Sequence, residues 1–146
     1  MIRSYVLDAN AILDLAENGP GSDRVHQLMR SALRESNPLL ISVVNWGEIF
    51  YISWQQRGEE LARRTMAGLS RLPIQTVGVE LDQASKAAEI KAVHKIPYVD
   101  CIAAALAEIR NATLVTSDLD FQKLGRRIPI LGLHDDSGIP TVLEKH

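Results

Sequence analysis

The chain has 146 residues, of which 46% are apolar and 23% are charged, and its formal net charge is -2. This composition fits one globular domain and excludes a protein that coats nucleic acid by bulk positive charge. A single cysteine excludes an internal disulfide, and no apolar stretch reaches the roughly 18 residues of a membrane span. We therefore expect a single domain over residues 1–146, without a secretory signal, in the reducing cytoplasm.

Strand-like and helix-like patterns alternate along the whole chain. In chain order they predict a strand at 3–8, helices just after Asp8 and at 22–36, a strand at 38–44, helices at 45–57 and 59–72, a strand at 73–79, helices at 80–95 and 98–110, a strand at 112–118, a short helix ending at Gly125, and a last strand at 128–133. The polar tail from His134 onward is predicted to lie at the surface. The alternation predicts an α/β fold, an α/β/α sandwich with a mainly parallel central sheet.

Acidic residues stand where several of these predicted elements meet. Asp8 and Asp118 end two strands, Glu48 is placed on the first turn of the helix after the second strand, and Asp100 lies on the first turn after Pro97. Each acid alone is explained more simply as a helix cap, a turn residue or a partner of the helix dipole. Because ligands of open parallel sheets bind beyond the carboxyl ends of the strands, however, all four could share one edge.

Four acids at one edge would need a cation. Carboxylates within about 4–6 Å of one another raise each other's pKa, and a divalent ion removes that repulsion. Ligation by oxygen alone suits Mg²⁺ or Mn²⁺. The sequence has no CxxC, no HExxH and no histidine pair at ligand spacing, so a zinc site is not predicted. A Ser–His–Asp site is also not predicted, because no histidine lies near a matching motif.

Four segments in order resemble a known family: VLDANAILDL, ISVVNWGEI, IPYVDCIAAALA and TLVTSDLDF. Their order and separations resemble the PIN-domain ribonucleases, and within these the VapC-type toxins of toxin–antitoxin pairs. The resemblance covers nearly the whole chain. It implies a PIN-like fold and a Mg²⁺- or Mn²⁺-dependent endoribonuclease acting on single-stranded RNA. It also implies a homodimer and a VapB-type antitoxin that covers the active site.

The resemblance also assigns roles to individual residues. The metal-binding and catalytic acids are then Asp8, Glu48, Asp100 and Asp118, with Asp120 where some members carry a further acid. The residues that support them are Asn10, Asn45, Thr116 and Ser117. The chain departs from the family pattern at Ala9, where Thr or Ser is usual, and at Asn45, where Thr is often found. Both departures keep every carboxylate but put the metal affinity and the rate in question.

Residues that bind the substrate are not identified by the sequence. Six basic side chains are candidate phosphate contacts, although a solvated helix surface explains each of them better: Arg57, Arg63, Arg64, Lys123, Arg126 and Arg127. Trp46, Tyr51 and Trp54 could stack on bases, but packing in the core or an interface is the simpler explanation.

Three other functions stay open at this point. A receiver-like signalling domain would use Asp8 as a phosphate acceptor, but it would need adjacent acids after the first strand and a lysine better placed than Lys123. A non-catalytic binding domain on the same fold would be indicated by a missing carboxylate, and all four are present. A nuclease for structured RNA or DNA differs from our main prediction only in its substrate.

Overall fold

The computed structural model describes residues 3–133 and the backbone of Thr141–Leu143. Its centre is a six-stranded sheet in the order β3-β2-β1-β4-β5-β6. The strands are β1 (Tyr5–Leu7), β2 (Leu39–Ser42), β3 (Ile74–Val77), β4 (Thr113–Thr116), β5 (Ile130–Gly132) and β6 (Thr141–Leu143). The first five strands pair in parallel, as predicted, and β6 pairs antiparallel with β5.

Helices cover both faces of this sheet. They are α1 (Ala9–Ala16), α2 (Ser22–Glu35), α3 (Val43–Arg57), α4 (Glu59–Leu69), α5 (Leu81–Val93) and α6 (Tyr98–Ile109), and a 3-10 helix spans Leu119–Leu124. One apolar core packs α5, α6 and the 3-10 helix against the sheet, and the other packs α1 to α4 against its opposite face. The predicted α/β/α sandwich is confirmed. No helix in the described part of the chain is long and apolar enough to cross a membrane.

The central strands β1, β2 and β4 are buried on both faces, which explains their apolar sequences. In β1, Val6 packs in the core of α5 and α6, whereas Leu7 packs in the core of α1 to α4. Leu114 and Val115 of β4 divide between the two cores in the same way. Successive side chains of a strand point to opposite faces, so a strand between two helical layers needs apolar residues at every position.

The boundary between β2 and α3 differs from the prediction. The apolar run predicted a strand to residue 44 and a helix from Asn45, but the strand ends at Ser42 and the helix begins at Val43. The Ser42 hydroxyl accepts a hydrogen bond from the Val44 N–H at 3.1 Å and so caps the helix two residues early. Glu48 therefore lies on the second turn of α3, and its predicted place on the first turn is wrong.

The end of the sheet also differs from the prediction. β5 is not the last strand, because Thr141–Leu143 returns antiparallel beside it, with Leu131 opposite Val142. The prediction that the strand at 128–133 is the last one is therefore wrong, since three residues among polar neighbours are too short to show a period. The rest of the predicted polar tail, residues 134–140 and 144–146, lies outside the described residues.

Helix α6 is buried on all sides along its middle. Every residue from Cys101 to Ala107 is buried, and four of these seven are alanines. Small side chains let the helix pack closely on β1, β2 and β4 and also against α5 and α3. The first turn of α6 is thereby held at the carboxyl edge of the sheet.

Candidate metal centre

The carboxyl ends of two neighbouring strands place two of the predicted acids. Asp8 directly follows β1, and Asp118 follows β4 by two residues, in strands that pair Leu7 with Val115. Helices α3 and α6, which contact each other, bring Glu48 and Asp100 to the same edge. The four acids act on one another electrostatically, since the charges of Asp100 and Asp118 both raise the pKa of Asp8. We call Asp8, Glu48, Asp100 and Asp118 the acidic cluster.

Asp8 is almost fully buried, with 2% of its surface exposed. One carboxyl oxygen accepts a hydrogen bond from the Ala11 N–H at 2.8 Å, so Asp8 is the N-cap of α1. The other oxygen accepts a hydrogen bond from the Thr116 hydroxyl at 2.5 Å. Burial raises the pKa of Asp8 to about 7, although both hydrogen bonds oppose the shift. A capping role and a role in the acidic cluster are thus compatible at Asp8.

Asp100 lies on the first turn of α6, as predicted. It is half-buried, and its pKa is raised to about 7, first by that burial and then by the charges of Asp118, Glu48 and Asp120. Two acids with such pKa values at one site indicate carboxyls that are removed from water and whose negative charges also repel one another. A bound cation would offset this repulsion between the carboxylates of the cluster.

Glu48 is linked to the rest of the cluster through Asn45. Burial raises the pKa of the Glu48 carboxyl, and interaction with the Asn45 side chain opposes that shift. The Asn45 amide also donates a hydrogen bond to the Val99 carbonyl at 3.2 Å, one residue before Asp100. Asn45 is fully buried, and its Oδ1 is the one buried side-chain oxygen or nitrogen without a partner among the described residues. One amide therefore joins the two helices that carry Glu48 and Asp100.

Asp118 and Asp120 form the turn after β4. The Asp118 N–H donates to the Thr116 hydroxyl, and the Asp118 carboxylate accepts from the Asp120 N–H, both at 2.9 Å. Asp120 is exposed and lies 3.5 Å from the Lys123 ammonium. Thr116 thus links the cap of α1 to the Asp118 turn, while Asp120 occupies the rim of the cluster.

The predicted supporting residues divide into two groups. Thr116 and Asn45 contact acids of the cluster directly. Ser117 instead binds the carboxyl of Asp14 on α1, and no described side-chain hydrogen bond involves Asn10. The sequence prediction missed Asp14. In the sequence VLDANAILDL, Asp14 occupies a position typical of a solvated helix residue. Its contact with Ser117 arises only from the tertiary fold.

The donor set fits a hard divalent cation in its chemistry. It consists of carboxylate oxygens that raise one another's pKa, beside a buried amide oxygen that lacks a hydrogen-bond donor. In the described part of the chain no three acidic, histidine or cysteine side chains already converge on one metal position. Asp8 is fixed by two hydrogen bonds, so ligation by three acids would require the half-buried side chains of Glu48, Asp100 or Asp118 to rotate inward.

Most of the basic residues considered as phosphate contacts are paired with acids. The pairs are Arg57 with Glu17 at 3.7 Å, Arg63 with Glu59 and Arg64 with Glu60 at 2.9 Å, Arg127 with Glu108 at 3.0 Å, and Lys123 with Asp120. Arg63 also lies 5.5 Å from the ring centres of Phe50 and Trp54. These side chains stabilise helix surfaces, which agrees with the simpler explanation of them.

Comparison with known proteins identifies the class of fold. The model of the PIN domain family matches residues 5–127, most of the chain, and the chain therefore belongs to the PIN domain family. Membership of this family argues against a receiver-like domain. A search among curated proteins finds no match.

Solved structures extend the comparison to VapC proteins. VapBC2 from Rickettsia felis, bound to a promoter DNA fragment, is 17% identical over 88% of this chain and 97% of that one, with a TM-score of 0.70. DNA-bound VapBC from Salmonella typhimurium is 18% identical over 90% of this chain and 99% of that one, with a TM-score of 0.69. VapC20 from Mycobacterium tuberculosis, a Sarcin-Ricin loop cleaving toxin, is 18% identical over 84% of this chain and 95% of that one, with a TM-score of 0.61. At these identities the likeness is one of fold, and the resemblance to the PIN domain family predicted from the four segments is confirmed.

Proposed function

We propose that the protein is a Mg²⁺- or Mn²⁺-dependent endoribonuclease that hydrolyses phosphodiester bonds in single-stranded RNA, and the toxin of a toxin–antitoxin pair. The observation that carries this proposal is the acidic cluster at the carboxyl edge of a PIN fold, with Asp8 and Asp100 at pKa values of about 7. One protein of similar fold is a toxin that cleaves the Sarcin-Ricin loop, which supports RNA as the substrate.

Asp8, Asp100 and Asp118 would hold the metal ion, with Glu48 either as a further ligand or as the residue that orients the attacking water. Asp120, at the rim, is a candidate for an additional ligand. A divalent ion in such a site lowers the pKa of water and offsets negative charge on the phosphate and on the leaving oxygen.

The chain's own contribution is to keep these groups in place. The Ala11 N–H and the Thr116 hydroxyl fix the Asp8 carboxylate before substrate arrives. Asn45 keeps Glu48 beside the first turn of α6, close to Asp100. No nucleophilic side chain is required, because water is the attacking group.

The proposed partner is a VapB-type antitoxin that covers the acidic cluster, and the proposed assembly is a homodimer acting in the cytoplasm as a single nuclease domain. The similar structures from Rickettsia felis and Salmonella typhimurium are VapBC complexes, which supports this choice of partner.

The test is cleavage of a single-stranded RNA oligonucleotide with millimolar Mg²⁺ or Mn²⁺ and with EDTA. We expect metal-dependent cleavage that Asp100→Asn lowers by about a hundredfold or more, since it removes a ligand. Asp23→Asn is the matched control, because Asp23 is an exposed acid on the first turn of α2 and lies outside the acidic cluster.

Equal cleavage by wild type and Asp100→Asn, or cleavage that persists in EDTA, would contradict the proposal. The same sequence supplied as DNA and as a hairpin RNA tests the remaining alternative. Faster cleavage of either one would assign the site to that polymer.

A further inference from the structure

The hydroxyls of Thr116 and Ser117, at the end of β4, bind one carboxyl at the N-cap of α1 and one carboxyl within α1. Thr116 donates to Asp8 at the first residue before α1, and Ser117 binds Asp14 near the other end of that helix. Asp118 follows at once, so the turn that carries this acid is attached to α1 at two points. Of the two attachments, only the one through Thr116 touches the acidic cluster itself.

The Asp14 carboxyl is enclosed closely on its other side. The Gly21 backbone N–H binds it, and the Gly19 N–H donates to the Asp14 carbonyl at 2.7 Å. A β-carbon added at Gly19 or at Gly21 would lie 2.9 Å from a carboxyl oxygen of Asp14, which is too close for a side chain. Glycine at both positions therefore lets the 19–21 loop close over Asp14.

The enclosure reaches the sheet as well. A β-carbon at Gly21 would also lie 2.7 Å from the side chain of Leu133, and the Leu133 N–H donates to the Thr116 carbonyl at 2.8 Å. The 19–21 loop, α1 and the ends of β4 and β5 thus meet around one half-buried carboxyl. A solvated helix acid needs none of these contacts.

We propose that Asp14 is a positioning residue for the acidic cluster, which holds the Asp118 turn against α1 through Ser117. The inference rests on the proposed function in one respect, which is that Asp118 binds a metal ion. Its structural part, that Asp14 orders the turn through Ser117, holds with or without metal and is tested separately.

The first test compares Asp14→Ala with Asp14→Asn in metal-free protein. Both remove the same charge, but the amide of Asn can accept from the Gly21 N–H and donate to the Ser117 hydroxyl, whereas Ala can do neither. We expect Asp14→Ala to speed hydrogen exchange at the Asp118 and Asp120 amides about tenfold, as loss of a hydrogen bond to a charged group implies. Asp14→Asn should restore most of the protection.

A double-mutant cycle with Ser117→Ala shows which path transmits the effect. If Asp14 acts through Ser117, then Asp14→Ala should change exchange at Asp118 very little in the Ser117→Ala background. Val25→Ala, a cavity in the core under α2, is the control for general destabilisation. Additive effects of the two substitutions, or the same local loss of protection in Val25→Ala, would overturn the proposal. Ser117→Ala alone supplies the test if Asp14→Ala does not fold.

The metal part is measured by titrating Mn²⁺ calorimetrically. We expect Asp14→Ala and Ser117→Ala to weaken Mn²⁺ binding about tenfold, and Asp14→Asn to weaken it far less. If wild type binds no Mn²⁺, the proposed function fails while the exchange data still decide the role of Asp14. If wild type binds and Asp14→Ala binds equally well, the positioning role is wrong and the proposed function stands.

Discussion

The acidic cluster has two unlike halves. Asp8 and Asp118, the inner half, lie on neighbouring strands and accept hydrogen bonds from Ala11, Thr116 and Asp120. Glu48 and Asp100, the outer half, lie on two helices, and Asn45 is the side chain that connects them. The inner acids therefore support the local fold through hydrogen bonds as well as carrying charge, whereas the outer acids accept no hydrogen bond from the backbone among the described residues. We therefore expect substitution of an inner acid to lower the free energy of unfolding more than substitution of an outer acid.

Burial of the carboxyls, together with the repulsion between them, predicts an unusual pH dependence for the metal-free protein. The folded-state pKa of Asp8 is about 7 against an ordinary value of 3.8, so between these values the folded state binds more protons than the unfolded state. Stability is therefore highest at low pH and is lost as pH rises through 7, by about 2–3 kcal/mol from Asp8 alone between pH 5 and 8. Asp100, half-buried, adds to the loss.

Urea unfolding in EDTA across this pH range measures the effect. Asp8→Asn should flatten the curve, because the amide does not titrate and still caps α1. A wild-type curve as flat as that of Asp8→Asn would mean that the charges of the cluster do not oppose folding.

The two halves should respond differently to alanine at pH 5, where the raised pKa values leave Asp8 and Asp100 mostly protonated in the folded state. Asp8→Ala removes the N-cap of α1 and the acceptor of the Thr116 hydroxyl, and should lower the free energy of unfolding by about 2 kcal/mol. Asp100→Ala removes a half-buried carboxyl with no side-chain hydrogen bond among the described contacts and should change it by less than about 0.5 kcal/mol. Equal losses would erase the distinction between the halves.

Metal should bind only when both halves are present. At ten times its dissociation constant, Mn²⁺ should stabilise wild type by about 1.4 kcal/mol through mass action. Asp8→Asn and Asp100→Asn should each lose this gain, while Asp23→Asn keeps it. Thermal unfolding with EDTA and with Mn²⁺ gives the comparison, and a gain retained by either cluster variant would remove that residue from the metal site.

A smaller effect than that of Asp8→Ala or of bound Mn²⁺ is expected at the amide between the two outer acids. Asn45→Ala deletes the hydrogen bond to Val99 but also a buried oxygen that has no partner, so its net cost should stay below about 1 kcal/mol. The pKa of Glu48 should rise further, because the interaction that lowers it is gone. Asn37→Ala is matched to it, since Asn37 donates to the Arg3 carbonyl at the same 3.2 Å. An NMR titration of Glu48 that moves equally in both variants would deny Asn45 this role.

The fold was largely predictable because its central strands are buried on both faces. Unbroken apolar runs such as LLIS, separated by helical periods, leave few alternatives to a parallel sheet between helices. The carboxyl edge follows from that topology, and with it the grouping of Asp8 with Asp118. Local chemistry was harder to predict, because Ser42 ends β2 by capping a helix that the apolar pattern alone would start later.

The contacts around the cluster were predictable only in part. Thr116 and Asn45 were expected near the acids from the resemblance, but their partners depend on which strand lies beside which helix. Asp14 was missed because its contact with Ser117 joins residues more than a hundred positions apart. A one-residue displacement of either element would separate them, and no local pattern encodes that alignment.

The alanines of α6 widen the set of positions at which the protein can be inactivated. A larger side chain at Ala103 or Ala104 has no room between the sheet and its neighbouring helices, and overpacking of this kind typically costs about 1–3 kcal/mol. A genetic screen for loss of function should therefore return substitutions in α6 as often as substitutions of acids. Immunoblots would separate the two groups, since Asp100 variants should accumulate normally and α6 variants should be cleared by cellular proteases.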